Sequence, residues 1–365
     1  MKRYYRFQRS WVRWLLRLSE AFCSSGSGQA LPEANAVRAL LLVRLDHLGD
    51  LVMSTRLLSP LKARYPGAQI YFLCHARYAA WLRMLPQVTG VITVAVEDKG
   101  WRGLRALWGL PRLWRAAVPL RFDLGLDPKG HWLAGLILWG LRVPARVGFS
   151  DGGGRCFYTA VIDPDRDLEP FERQRRLLQI LGADPGLLPR VGWLSDGLIS
   201  APAVAAQSLP RNTLFFPGAS EENKRWPWTS WMALAHALTR YKITLVAGPA
   251  ERQIAREWHA LGVDVRVCAD ACELWELMRA ATLIISNDAG PAHLAAALDI
   301  PSLTIFGAQD PVRWHPYPPD RHPVVYASVF CRPCGLRRCY QKGHEYLQCL
   351  TQVKVETVLN RIAQL

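Results

Sequence analysis

Residues 284–307 read IISNDAGPAHLAAALDIPSLTIFG. A short β-rich apolar run ends in Asn287–Asp288, Gly290 permits a tight turn, and Pro291 is well placed as the first residue of a helix. PSLTIFG at 301–307 is then a second strand. Strand, helix and strand in so short a span form one unit of a parallel sheet. The backbone N–H groups of Ala292 and His293 are expected to face any phosphate beyond the strand with the positive end of the helix dipole. Asp288 suits a sugar hydroxyl better than a phosphate. An Asn/Asp turn with a simple helix cap and no ligand is the alternative reading of this stretch alone.

The same alternation runs through the chain. TLFFPG (213–218), ITLVAG (243–248) and VDVRVCA (263–269) are further strands, with helices expected to begin near Trp228, Ala250, Glu273 and Ala292. In the first half, RALLLVRL (38–45), AQIYFLCH (68–75) and VITVAV (91–96) are strands, LVMSTRLLSPLKARY (51–65) is a helix, and RFDLGLDPKG (121–130) is a strand ending in a polar loop. The fold class is therefore α/β. Two Rossmann-like, doubly wound domains are expected to face one another across a cleft, with ligands at the carboxyl ends of the strands. The expected boundaries are a basic extension and linker at 1–36, a first domain at 37–195, a linker at 196–210, a second domain at 211–345 and a C-terminal helix at 346–365.

Two strand ends carry polar groups that a buried strand has no need of. FFPGASEENKRWPWTSWMALAHAL, at 215–238, leaves its strand at Pro217–Gly218 and passes through Ser220, Lys224 and Arg225 before a Trp-flanked helix. Ser220 and Lys224 can reach a diphosphate as a neutral donor and a point charge. LDHLGD, at 45–50, offers Asp46, His47 and Asp50. Local rules make Asp50 the N-cap of a helix starting at Leu51, and a cap that accepts backbone N–H bonds is a weaker base.

The net charge of +15 implies an anionic partner, whether nucleic acid, a membrane surface or a phosphorylated substrate. No recognition module for nucleic acid accompanies it, and much of the excess is dispersed arginine. No apolar run reaches the ~18 residues that cross a bilayer, and WLAGLILWGL (132–141) fits a core helix. Read as a helix, MKRYYRFQRSWVRWLLRLSEAF places Arg9, Arg13 and Arg17 opposite Trp11, Trp14, Leu15, Leu18 and Phe22. That pattern suits a helix lying on an anionic membrane, or one docked on its own protein.

Four of the nine cysteines, Cys331, Cys334, Cys339 and Cys349, are crowded into one stretch. They make a candidate structural metal or iron–sulfur site, against free or redox-paired thiols in a surface loop. Neither G-x-G-x-x-G after a strand nor G-x4-G-K-[ST] occurs, which argues against a dinucleotide oxidoreductase and a P-loop ATPase. Without a nucleophile elbow, hydrolase chemistry finds no support. GFSDGGGR (148–155) joins no strand to a helix, and VIDPDRD (161–167) reads as a surface turn.

Taken together, VRLDHLGDLVMSTRLLSPLKARYPGAQI, FFPGASEENKRWPWTSWMALA and LIISNDAGPAHLAAALDIPSLTIFGAQDPVRWHPY resemble the heptosyltransferases of lipopolysaccharide core synthesis, glycosyltransferase family 9, over residues 38–360. The resemblance implies a GT-B fold with the acceptor on the first domain and the nucleotide-sugar on the second. It implies inverting transfer of heptose from ADP-heptose to a lipid-linked lipopolysaccharide core, with no cofactor and no catalytic metal. It assigns Asp50 as general base, Lys224 and Ser220 to the donor phosphates, and Asp288 to the sugar. Gly290, Pro291, Ala292 and His293 fall at the diphosphate, and Glu251 near the nucleoside. Ala289 stands where the family has Ser or Thr. Gly49 lets the acceptor approach closely, and Asp46 is an acceptor contact. Arg44 contacts an acidic group of the acceptor or is a solvent-facing strand end. The enzyme is then expected at the cytoplasmic face of the inner membrane, held peripherally by its N-terminal helix. A GT-B transferase of another sugar or acceptor, or a nucleotide-sugar epimerase on the same fold, is the alternative.

Overall fold

The computed structural model describes residues 31–94, 102–164, 168–195 and 212–365. The amphipathic helix expected over 1–22 and the linker expected at 196–210 lie outside the described residues. The chain divides into two compact units, Met1–Leu188 and Pro189–Leu365.

In the first unit, strands β1 (Ala39–Arg44), β2 (Gln69–His75), β3 (Gly90–Val94), β4 (Leu124–Asp127), β5 (Ala145–Phe149) and β6 (Ala160–Ile162) form one sheet in the order β3-β2-β1-β4-β5-β6. All its pairings are parallel. Every residue of β1 is buried, as an unbroken aliphatic run must be when helices cover both faces. The expected core helix is present at Trp132–Gly140, and its Leu133, Ile137 and Leu138 join Leu41, Val43 and Phe122 in one hydrophobic cluster. Each such fully buried aliphatic contributes about 1.5–3 kcal/mol relative to exposure.

The helix expected at 51–65 is two helices, Leu48–Thr55 and Leu58–Arg64. Pro60 explains the break: it has no N–H for the carbonyl of Arg56, and its ring crowds that turn.

The second unit repeats the plan with β7 (Asn212–Phe216), β8 (Lys242–Ala247), β9 (Asp264–Val267), β10 (Leu283–Asn287), β11 (Ser302–Ile305) and β12 (Val324–Val325). Its order is β12-β11-β10-β7-β8-β9, again wholly parallel. Numbered from its own first strand, this is the same 3-2-1-4-5-6 order as the first sheet, the doubly wound Rossmann arrangement. Phe215, Trp226, Trp231 and Trp258 anchor its core. The C-terminal segment folds as Gln348–Thr351 and Val355–Ile362, and Val358 and Ile362 complete that core. Among the described residues no helix is long and apolar enough to cross a membrane.

In a doubly wound sheet the strand order reverses between the first and fourth strands, and the loops leaving those two strands diverge to opposite faces and open a crevice. The crevice of the first unit lies beyond Arg44 and Asp127, and that of the second beyond Phe216 and Asn287. Every polar strand end singled out above sits at one of these two places.

Candidate active site

The first cluster is built on β1 and β4. Arg44 is the last residue of β1 and is buried, so its guanidinium faces protein and not solvent. Its two terminal nitrogens lie 3.6 Å from Asp46 and 3.2 Å from Asp50, and it also donates to the Asp50 carbonyl at 3.1 Å. The reading of Arg44 as a solvent-facing strand end is thereby corrected.

Asp50 was expected to cap a helix starting at Leu51, but the helix starts at Leu48 and its N-cap is His47. Asp50 stands in the first turn, where a carboxylate complements the helix dipole without accepting the capping bonds. Its side chain is 22% exposed, against 10% for Asp46. The buried Gly49 precedes it in the same turn.

Asp46 differs from expectation. One of its oxygens meets Lys129 Nζ and the other faces Arg44, so the carboxylate is enclosed by protein cations. Burial alone would raise its carboxyl pKa, but Lys129 and Arg44 outweigh that and lower it to about 2. Burial likewise disfavours the Lys129 ammonium, yet Asp46 and then Asp50 hold its pKa above the ordinary value.

Lys129, in the polar loop that follows β4, joins this cluster although no motif of the sequence marks it. Its loop is tightly held. Asp127, 1% exposed, accepts the N–H of Lys129 at 2.9 Å, the N–H of His131 at 2.6 Å and the hydroxyl of Tyr158 at 2.6 Å. Burial and the Asp127 charge push the Tyr158 phenol well up, so it stays a donor. The glycine run at 148–155 serves the same loop: a Cβ on Gly152 would lie 1.7 Å from the Gly130 carbonyl.

The second cluster is built on β7 and β10. Lys224 Nζ lies 2.9 Å from Asp288 Oδ2, so the cation of one loop and the carboxylate of the other meet although 64 positions separate them. Asn287, fully buried, ties the same two loops together. It accepts the N–H of Trp226 at 3.1 Å and donates to the Pro217 carbonyl at 2.6 Å. Arg225 closes its own loop by donating to the Ala219 carbonyl at 2.8 Å, leaving Ser220 exposed at the tip. Glu251 joins them from the β8 loop. It accepts the Gly248 N–H at 2.9 Å, and its carboxylate fills the space where Gly218 lacks a side chain.

The helix expected from Pro291 runs Gly290–Ala297, with Ala289 as an N-cap that has no side-chain oxygen. Its first turn is more closed than expected, because Ala292 N–H already donates to the Ala289 carbonyl at 3.1 Å. His293 is buried within the helix.

The cysteine stretch packs behind this loop. Asn223 is buried, donates to the Leu336 carbonyl, and accepts the Ala308 N–H at 3.2 Å through its own carbonyl. Cys331, Cys334, Cys339 and Cys349 are free thiols. Burial raises Cys349 to about 11, with Cys331, Cys334 and Cys339 adding to the shift. Cys339 and Cys331 accept from Leu347 N–H and the Gln348 amide, at 3.4 and 4.0 Å. Among the described residues no three His, Cys, Asp or Glu side chains are grouped to hold a metal, so of the two readings the geometry favours free thiols over the candidate structural site.

The family model "Glycosyltransferase family 9 (heptosyltransferase)" matches residues 111–344. Lipopolysaccharide heptosyltransferase 1 of Pseudomonas aeruginosa is 27% identical over 328 residues, covering 84% of this chain and 89% of the relative. The solved E. coli heptosyltransferase WaaC with ADP superposes with a TM-score of 0.68 at 20% identity, covering 89% of this chain and 99% of that one. The same enzyme with ADP-2-deoxy-2-fluoro heptose gives the same values. The fold is that of the GT-B enzymes. The chain belongs to glycosyltransferase family 9, the heptosyltransferases, and is a glycosyltransferase.

Proposed function

We propose that the chain transfers heptose from ADP-heptose to a lipopolysaccharide core acceptor with inversion. The observation that carries this reading is the Lys224–Asp288 pair at the crevice of the second unit, in a family member whose solved relative has been captured with ADP and a fluoro-heptose analogue.

In this reading Lys224 and Ser220 take the diphosphate, and Glu251 stands toward the nucleoside. Asp288 orients the sugar beside the helix start at Gly290, Pro291, Ala292 and His293. As the anomeric bond breaks, negative charge grows on the leaving diphosphate. The Lys224 ammonium and the positive end of the helix stabilise that charge, the task that a divalent ion performs in other transferases. Asp50 accepts the proton of the acceptor hydroxyl as its oxygen attacks the anomeric carbon from the opposite face. Gly49 and Arg44 lie on the acceptor side. Asp46, already enclosed by two cations, is reassigned from acceptor contact to the support of this cluster.

The acceptor is an anionic glycolipid, which accounts for a net charge of +15. The basic, Trp-rich residues 1–22 would hold the enzyme at the cytoplasmic face of the inner membrane.

The test is to incubate purified protein with ADP-heptose and a set of truncated core lipopolysaccharides. ADP release with a product heavier by one heptose is the expected result. A protein that binds ADP-heptose yet turns over with no acceptor would overturn the heptosyl assignment.

A further inference from the structure

Four charges form a single chain at the crevice of the first unit: Lys129, Asp46, Arg44 and Asp50, each touching the next. We propose that Lys129 is a positioning residue for the reaction: by neutralising Asp46 it frees the Arg44 guanidinium to hold the Asp50 carboxylate in its working orientation. The proposal rests on the reading of Asp50 as the base, and it adds a residue outside the matched sequence motifs.

Three observations carry it. First, the contest for Arg44 is built into the geometry. Both carboxylates lie within 4 Å of the same buried guanidinium, and Asp46 is the more deeply buried of the two. A buried carboxylate with no second cation draws its remaining partner strongly, because water cannot solvate it. Without Lys129, Arg44 would turn toward Asp46.

Second, the Lys129 backbone is fixed at both of its polar atoms. Asp127 accepts its N–H at 2.9 Å, and Arg173 donates to its carbonyl at 2.7 Å. Arg173 is itself braced by Asp151 at 2.8 Å and lies 3.9 Å from the ring centre of Phe149. An isolated surface lysine needs no such scaffold. The next residue, Gly130, has φ +80° and sits where a Cβ would meet the Phe149 carbonyl at 2.4 Å, so this position of the loop admits no side chain.

Third, the Lys129 ammonium is directed inward. Its side chain is 35% exposed, and it reaches 83 positions back along the chain to Asp46. Tyr78, whose phenol feels Asp50, and His131, which adds to the cations acting on Asp46, also bear on this cluster.

The experiment uses the full chain and measures transfer with ADP-heptose and the acceptor that it turns over. Lys129→Met should lower kcat about 10- to 100-fold with acceptor KM changed less than threefold, and Lys129→Arg should restore most of the rate. The deciding variant is Lys129→Met with Asp46→Asn. Once the competing carboxylate is neutral, Arg44 is free again, and at least a tenfold part of the lost kcat should return. ADP affinity and binding stoichiometry, which report on the Lys224 loop of the second unit, should be unchanged in all of them and serve as the folding control. A double variant no faster than Lys129→Met, or a raised acceptor KM with kcat intact, would overturn the proposal and make Lys129 a direct acceptor contact. Asp50→Asn at full activity would instead overturn the reading of the base on which it rests.

Discussion

Lys224 Nζ and Asp288 Oδ2 stand 2.9 Å apart at the crevice of the second unit, although the two residues leave different strands. The pair holds the ammonium in place before any nucleotide arrives, so little reorganisation is needed as diphosphate charge develops. Lys224→Ala should lower kcat by about 10²–10³ and weaken ADP binding. If Asp288 orients the donor sugar as proposed, Asp288→Ala should raise the KM for the sugar nucleotide more than the Kd for ADP, which lacks that sugar. Steady-state kinetics with ADP titration separate the two effects.

Asn287 makes the two loops a single object. Its amide satisfies one buried donor and one half-buried acceptor, and its own exposure is zero. Asn287→Leu would leave the Trp226 N–H unpaired in the interior, a cost of about 1–3 kcal/mol. Urea unfolding should show that loss, with ADP affinity falling alongside it.

Gly152 tests the loop that carries Lys129. Its Cβ would lie 1.7 Å from the Gly130 carbonyl and 3.3 Å from His131 Cα, so the backbone of the 127–131 loop must move to admit even a methyl group. Gly152→Ala should cost about 1–3 kcal/mol of stability and a tenfold or greater part of kcat, with ADP affinity unchanged. Unchanged kcat would show that the loop bears nothing catalytic.

The pH dependence of stability has a defined source in the second unit. His322 is fully buried beside Ser302, with Nδ1 2.9 Å from Ser302 Oγ. Burial, then Arg321 and His315, lower its pKa from an ordinary 6.5 to about 4. The unfolded chain therefore binds a proton more readily than the folded one between these values, and stability falls as pH drops from 6.5 to 4. The contribution is roughly 3 kcal/mol. His315, also lowered by burial, acts in the same direction. In urea melts across this range the wild-type slope should exceed that of His322→Gln; equal slopes would assign the acid sensitivity elsewhere.

Both sheets were legible because β-rich apolar runs alternate with helical patterns, and that periodicity is set by local packing. The strand ends at LDHLGD, FFPGASEENK and SNDAGP stood out because polar residues there have no core to join. Contacts between distant stretches were less legible. Lys129 reads as an ordinary loop lysine until β4 is placed beside β1 and Asp46 comes within reach. Asn287 reads as a turn residue, and its link to Trp226 depends on β10 lying next to β7. Gly152 matches no ligand motif, since what it accommodates is the backbone of another loop. Local rules put Asp50 in the right turn but make it the cap, whereas Leu48 and Gly49 enter the helix and the cap falls on His47.

In the proposed reaction the Asp50 carboxylate accepts the proton of the acceptor hydroxyl. The most direct test of that role is the transfer rate of Asp50→Asn from ADP-heptose to the accepted core saccharide, with ADP affinity measured in parallel. The rate should fall by about 10²–10⁴, with ADP still bound as tightly as by the unmodified chain. Transfer by Asp50→Asn at the unmodified rate would contradict it.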